Sequence, residues 1–104
     1  MLMSTTETIE DKKIVKHLGM VKGNTIRARH IGRDIMAGLR NVVGGEITDY
    51  TKMMAESREQ ALDRMIEDAQ NLGANAIVGV KFATSMVMQS ASEILAYGTA
   101  VVVE

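Results

Sequence analysis

Residues 94–103 read ILAYGTAVVV, and this run decides how the rest of the chain has to fold. The run is apolar at almost every position: Leu95 and Val101 fall on one face of a strand, and Ile94 and Ala100 fall on the other. A strand that is apolar on both faces is buried on both faces. The helices of one small domain cover one face of a sheet. We therefore expect a second copy of the chain to cover the other face, which predicts a homo-oligomer.

Near the start of the chain, residues 14–21 alternate in the manner of a β-strand. Gly19 and Gly23 interrupt this pattern, and a glycine inside a strand marks a bulge or a close approach of two backbones. Residues 24–30 are therefore predicted to form a separate short strand.

A third alternating segment covers residues 76–88 and predicts a longer strand. Its alternation assigns five apolar residues to one face: Val78, Val80, Phe82, Met86 and Met88. The polar residues 89–92 then predict the turn that leads into the last strand.

Between these strands the apolar period becomes helical. A first helix is predicted to begin near residue 31 and to stop at Gly44, with an apolar stripe formed by Ile31, Ile35, Leu39 and Val42. A longer helix is predicted over residues 48–72, with Gly73 as the left-handed residue that ends it. Two helices combined with these strands predict an α+β fold.

The composition excludes several classes of function. The chain has 104 residues, of which 46% are hydrophobic and 24% charged, as expected for one folded domain over 1–104. The net charge of −1 and the absence of Trp argue against a nucleic-acid partner. Without cysteine there is no disulfide and no thiolate chemistry. The sequence shows no membrane-spanning run and no secretory signal, so we expect a cytoplasmic protein with no membrane partner.

Four short motifs are spread over almost the whole chain. They are, in order, GMVKG at 19–23, GGE at 44–46, GANAIVG at 73–79 and YGTAV at 97–101. Together they resemble the YbjQ-like family, which is also described as a heavy-metal-binding domain. The resemblance implies an α+β fold related to the dodecin subunit, with an antiparallel sheet and two helices on one face. It also implies a ring-shaped assembly, commonly a pentamer.

The heavy-metal description directs attention to nitrogen and sulfur ligands. Leu18 stands where some relatives have cysteine, so the best ligand for a soft metal is missing. His17 and His30 lie on different segments, and copies of either could form a metal site by converging on the axis of a ring. Met86 and Met88 would share one strand face as a thioether pair, although methionine more commonly fills gaps in cores and interfaces.

Other residues are candidates for binding a small anionic ligand. Arg27, Arg29 and Arg33 cluster beside the expected start of the first helix, or else form a charged strand edge that resists aggregation. Glu46 follows the glycines between the helices, where it is a hard-metal ligand, a member of an acid/base pair, or simply a complement to a helix dipole. Asn75, from the run 73–79, is included among the candidate ligand-binding residues.

The sequence thus predicts a non-enzymatic, ring-forming protein that binds a metal ion or a small ligand at subunit contacts. The alternative is a structural or interaction module without a small ligand. An enzyme has the weakest support, because no nucleophile–base pair or redox set is present. Residues 1–10 form a polar arm, either mobile or adding a strand to a neighbouring copy, with Ile9 as its anchor.

Overall fold

The computed structural model describes residues 1–28, 48–88 and 91–104. These residues form an α+β fold in which a helix packs on one face of a four-stranded sheet. The α+β class is therefore confirmed, while the predicted first helix over 31–44 lies outside the described residues. Within the described ranges, no helix combines the length and apolar character needed to cross a membrane.

The sheet is mixed in direction. Its strands are β1 (Leu2–Met3), β2 (Ile14–Ala28), β3 (Ala76–Met88) and β4 (Ala91–Val103), and the helix α1 spans Thr48–Asn71. The strand order is β1-β3-β4-β2, with β1 parallel to β3 and the other pairs antiparallel. The expectation of an antiparallel sheet is wrong at this edge, because the start of the chain runs alongside β3 in the same direction.

β2 runs unbroken through the glycines that were expected to divide it. Gly19 has a φ of 113°, and the register of β2 against β4 shifts between His17 and Gly19, so the strand absorbs this irregularity without ending. Gly23 faces α1, where a Cβ atom would overlap the backbone of Ala61 and Met65. The glycine therefore allows the helix and the strand to approach each other closely.

α1 lies across β2 and β4 and turns one apolar side toward the sheet. Ala61, Met65 and Ala69 of the helix are fully buried there. The strands contribute the other buried members of this cluster, which are Val21, Ile77, Val80, Ile94, Ala96 and Ala100. This cluster is the main core. Because it occupies the sheet face under α1, the opposite sheet face is the one left for contacts with other segments.

Hydrogen bonds from α1 also fix the position of β2. The Asp68 carboxylate accepts the Lys22 backbone N–H at 3.2 Å, and Arg64 donates to the Asn24 carbonyl at 2.5 Å. The buried Thr25 hydroxyl donates to the Ser57 carbonyl at 3.2 Å. These bonds flank Gly23 along β2 and hold the helix at a short distance from the strand.

α1 ends in a turn centred on Gly73, as predicted. Gly73 has a φ of 85°, and its N–H donates to the Gln70 carbonyl at 3.0 Å. The Ala74 N–H donates to the Ala69 carbonyl at 3.1 Å. This pair of bonds satisfies carbonyls at the helix end and turns the chain into β3.

A bulge at Gly79 divides β3 into two parts with opposite facing patterns. Val78 pairs with Thr99, whereas Lys81 pairs with Tyr97, so β3 holds one more residue than β4 over this stretch. Val80 belongs to the core under α1, and Val78 belongs to a cluster on the other sheet face. The predicted common face of Val78 and Val80 is therefore wrong, because the extra residue reverses the alternation.

The sheet face turned away from α1 is covered at one end by the chain itself. There Ile9 and Ile14 pack against a second buried cluster formed by Ala76, Val78, Val101 and Val103. The segment 1–10 therefore contacts the sheet of its own chain twice, through the pairing of β1 with β3 and through the packing of Ile9. At this end of the sheet the chain itself covers the apolar side chains of β4, and cover of the rest of this face by a second copy stays a prediction.

Candidate functional site

A cavity of about 480 Å³ lies between the N-terminal arm (residues 1–13) and the sheet face turned away from α1. We call it the arm pocket, and its lining residues are Glu7, Thr8, Ile14, His17, Val78, Gly79 and Thr99. This volume falls within the range of sites that bind small molecules. The arm pocket is therefore the leading candidate site among the described residues.

Three strands supply the floor of the arm pocket. Thr99 of β4 pairs with Val78 of β3 on one side and with Met20 of β2 on the other. His17 of β2 pairs with Val101, which lies two residues after Thr99 on β4 and therefore on the same face as Thr99. The sheet register thus places one imidazole and one hydroxyl beside the apolar side chain of Val78.

Backbone hydrogen bonds hold the arm against the sheet. Ser4 donates to the Ile77 carbonyl at 3.0 Å and accepts from the Val80 N–H at 3.0 Å. The bulge at Gly79 presents its N–H to the Thr6 carbonyl at 2.8 Å. At the other end of the arm, Lys13 and Glu104 exchange two backbone bonds of 2.9 Å. The wall of the pocket is therefore anchored on both sides of Glu7 and Thr8.

Short hydroxyl side chains shape the arm between these anchors. The Thr6 N–H donates to the Ser4 hydroxyl at 3.0 Å, and the Thr6 hydroxyl donates to the Thr8 carbonyl at 2.5 Å. The Ser4 and Thr6 hydroxyls also share a short hydrogen bond. Such local bonds are typical of turns formed by serine and threonine, and here they fix the path of residues 4–8.

The polar side chains of the arm pocket are free to bind a ligand. Within the described residues, the Glu7 carboxylate, the Thr8 and Thr99 hydroxyls and the His17 ring have no hydrogen-bond partner. Glu7, Thr8 and His17 are exposed, and Thr99 is half-buried. A ligand would meet these groups without first breaking an internal bond.

A metal site would need more donors than the arm pocket supplies. Over 1–28, 48–88 and 91–104, no three side chains among His, Cys, Asp and Glu form a group that could hold a metal ion. Glu7 and His17 line the same cavity but make only two such donors. Protein zinc sites use three or four ligands, so this pair is incomplete by itself.

Two other predicted ligand residues, Arg27 and Asn75, are engaged in structural bonds. Arg27 donates to the Gln60 side chain at 3.0 Å and thereby ties β2 to α1. Asn75 donates to the Val103 carbonyl at 2.9 Å and accepts from the Val103 N–H at 2.8 Å. Arg27 pairs with Ser92, so Arg27 and Asn75 lie at opposite ends of β4 and are not brought together.

The role of Asn75 can be measured through stability. We expect Asn75→Ala to lower the free energy of unfolding by about 1–3 kcal/mol, because both backbone groups of Val103 lose their partner. Chemical denaturation of both proteins at one concentration measures the difference. The matched control is Asn71→Ala at the exposed helix end, which should change stability by no more than about 0.5 kcal/mol. Equal losses in the two variants would contradict this role.

Met86 and Met88 are exposed near the end of β3, but they do not share a face. Met86 pairs with Ser92 and Met88 pairs with Ala91, and these two adjacent residues of β4 point to opposite faces. The predicted thioether pair on one face is therefore wrong, because the register shifts between the two methionines. Four other candidates lie outside the described residues: Arg29, His30, Arg33 and Glu46.

Three polar residues of the arm pocket, Glu7, Thr8 and Thr99, were not predicted from sequence as site residues. Glu7 and Thr8 belong to the run STTET at 4–8, whose serine and threonine content signals local turns. Thr99 lies in a strand where apolar neighbours dominate. Only His17 was predicted as a site residue and lines the arm pocket.

A second exposed feature is the open end of β3, which comprises residues 81–88. Every residue of this stretch is exposed, including Phe82, Met86 and Val87. β1, Ser4 and Thr6 bond to the outer edge of β3 only as far as Val80, and no described residue bonds to that edge beyond Val80. A long apolar strand edge left in this way is suited to pair with another chain.

Comparison with known proteins assigns the chain to a family. A family model described as "Putative heavy-metal-binding", YbjQ_1, matches residues 1–104. A UPF0145 protein of Dehalococcoides mccartyi is 62% identical over 104 residues, covering 100% of both chains. A UPF0145 protein of Methanosarcina acetivorans is 61% identical over 101 residues, covering 97% of this chain and 95% of that protein.

The fold also matches a solved structure. A DUF74-family protein of unknown function from Pediococcus pentosaceus superimposes with a TM-score of 0.72 over 100% of this chain and 98% of that one. Its sequence identity is 18%, so the match concerns the fold alone. With the whole-chain family match and relatives of such high identity, the chain belongs to the YbjQ_1 family, whose members in this comparison are UPF0145 proteins.

Proposed function

We propose that the chain is a non-enzymatic, cytoplasmic protein whose copies assemble into a closed ring, a pentamer, and which binds a metal ion or a small ligand where copies meet. The observation that carries this proposal is the open end of β3. Met86 is 75% exposed and Met88 is 62% exposed, although both side chains are apolar. Contact with a second copy would remove this apolar surface from water.

The two edges of the sheet support a ring in particular. β3 is open beyond Val80, and β2 is the last strand on the opposite side of the described sheet. Pairing the open end of β3 with β2 of the next copy joins two different surfaces. Such head-to-tail contacts produce a closed ring when the rotation between copies closes.

The positions of the candidate ligands support binding near these contacts. His17 and Arg27 lie on β2, Met86 and Met88 lie on β3, and each of these strands has an open edge in the described sheet. A contact between β3 of one copy and β2 of the next would bring residues of both sets toward one interface. A metal ion or an anion could then receive ligands from two chains, which one chain does not provide among its described residues.

Native mass spectrometry of the protein purified without added metal tests both parts of the proposal. We expect a multiple of the 11.3 kDa subunit mass, with additional mass that elemental analysis assigns to a metal or leaves to an organic ligand. Light scattering at micromolar concentration should give the same assembly in solution. A stable monomer would overturn the ring, and a ring without additional mass would favour a purely structural module.

A further inference from the structure

We propose that the arm pocket binds a small organic molecule that carries a protonated amine, with the Glu7 carboxylate facing the amine and the sheet contacting its apolar part. This inference goes beyond the function proposed above, which places binding where copies meet, and it names a ligand class for a different site. The pocket is formed within one chain, so the inference does not depend on the ring.

The size and lining of the arm pocket favour an organic ligand over a single ion. A volume of about 480 Å³ far exceeds that of one cation with its coordination shell. Ile14 and Val78 give the cavity apolar walls, and a few polar groups converge on it. Organic ligand sites have this combination, in which apolar contact supplies affinity and a few polar groups fix the orientation.

The charge of the arm pocket favours a cation. Among its described lining residues, Glu7 carries a full negative charge and no lysine or arginine is present. A protonated amine would donate a charge-assisted hydrogen bond to this carboxylate. The hydroxyls of Thr8 and Thr99 and the His17 ring, which have no partner among the described residues, can accept further hydrogen bonds from the ligand.

A divalent metal ion is the competing occupant. It would use Glu7 and His17, but the described residues offer no third carboxylate, imidazole or thiolate beside them. The apolar side chains of Ile14 and Val78 would contribute nothing to such an ion. The observed lining therefore fits an amine with an apolar body better than a metal.

Backbone amide NMR of the full chain with tryptamine as the probe tests the inference. The matched probes are indole-3-propionate, which has the same ring with a negative charge, and tryptophol, which is neutral. We expect tryptamine to shift amides of the arm and of the pocket floor, around Thr8, His17, Gly79 and Thr99. We expect it to bind about tenfold more tightly than indole-3-propionate, since a charge-assisted hydrogen bond is replaced by repulsion.

Two variants assign the effect to Glu7. Glu7→Gln should weaken tryptamine binding about tenfold while leaving the indole-3-propionate constant unchanged or improved. Glu10→Gln removes an exposed carboxylate of the same arm that does not line the pocket, and it should leave tryptamine binding unchanged. Unaltered amide shifts elsewhere would show that both variants remain folded.

Three results would overturn the inference: equal binding of tryptamine and indole-3-propionate, a Glu7→Gln variant with unchanged tryptamine binding, or shifts of the pocket amides with zinc chloride but not with tryptamine. The failure of the ring is distinguishable from these results. A monomer that binds tryptamine through Glu7 would contradict only the assembly, and a ring with an unresponsive pocket would contradict only the ligand class.

Discussion

Replacing Gly23 by alanine should lower the free energy of unfolding by about 3 kcal/mol or more, at the upper end of what overpacking costs. A Cβ atom at this position would overlap the Ala61 carbonyl oxygen and the Met65 amide nitrogen, and it would lie 2.8 Å from the carbonyl carbon of Arg64. All three are atoms of the helix backbone, which cannot rotate away as a side chain can. The helix would have to lift from β2.

Lifting α1 from β2 would also strain the hydrogen bonds around Gly23. The Arg64 bond to Asn24 and the Thr25 bond to Ser57 both join the helix to β2. Because small domains are stable by only about 5–15 kcal/mol, a loss of this size is a substantial share of the total. Chemical denaturation at matched protein concentration measures the change, and amide exchange should rise in α1 around Ala61.

Lys22→Ala is the control for the Gly23 variant. Lys22 is exposed, and its hydrogen bond to Asp68 uses the backbone N–H, which alanine retains. We expect this change to alter stability by no more than about 0.5 kcal/mol. If Gly23→Ala changed stability as little as Lys22→Ala, the helix and the strand would not be in close contact at this glycine.

The helix was the element that sequence patterns predicted best. Its buried residues Ala61, Met65 and Ala69 recur every four residues, so they identify the side that faces the sheet. Gly73 marked its end, because a left-handed residue is the usual way to stop a helix. Both the four-residue spacing and the terminal glycine are local features, so they can be recognised in the sequence without knowledge of the tertiary fold.

The faces of the strands were harder to predict, because alternation fails wherever a strand contains an irregularity. The bulge at Gly79 reverses the alternation of side chains along β3, so Val78 and Val80 point to opposite faces of the sheet. Gly23 was treated as a break in β2, yet it is a point where a helix lies close. A glycine within a strand signals an irregularity, but the sequence alone does not say which kind.

The arm pocket depends on contacts that leave almost no periodic pattern. β1 has only two residues, Leu2–Met3, and it pairs with Ala76 and Ile77 far along the chain. Neither the pairing nor the position of Glu7 over the sheet can be derived from spacing. His17 was predicted for its ring chemistry, and only the fold shows which residues share its cavity.

Introducing glutamate at both Met86 and Met88 should abolish the proposed assembly and leave a folded subunit of 11.3 kDa. Both side chains are exposed, at 75% and 62%, so the double variant removes little internal packing. In the proposed ring it places two charges in every contact between copies. Burying unpaired charges at an interface costs several kcal/mol, which corresponds to a loss of at least about a hundredfold in affinity per contact.

The matched control is Leu72→Glu, which adds a charge at an exposed apolar residue beside the helix end. This variant should retain the assembly of the parent chain, because Leu72 precedes the start of β3, at the opposite end of that strand from Met86 and Met88, and it belongs to no strand of the described sheet. Light scattering with circular dichroism on the three proteins distinguishes loss of assembly from loss of folding. An assembly that survives both glutamates would show that the open end of β3 is not the contact. Dissociation of the Leu72 variant as well would point to a general effect of added charge, and the edge-to-edge pairing of β3 with β2 would then lose its support.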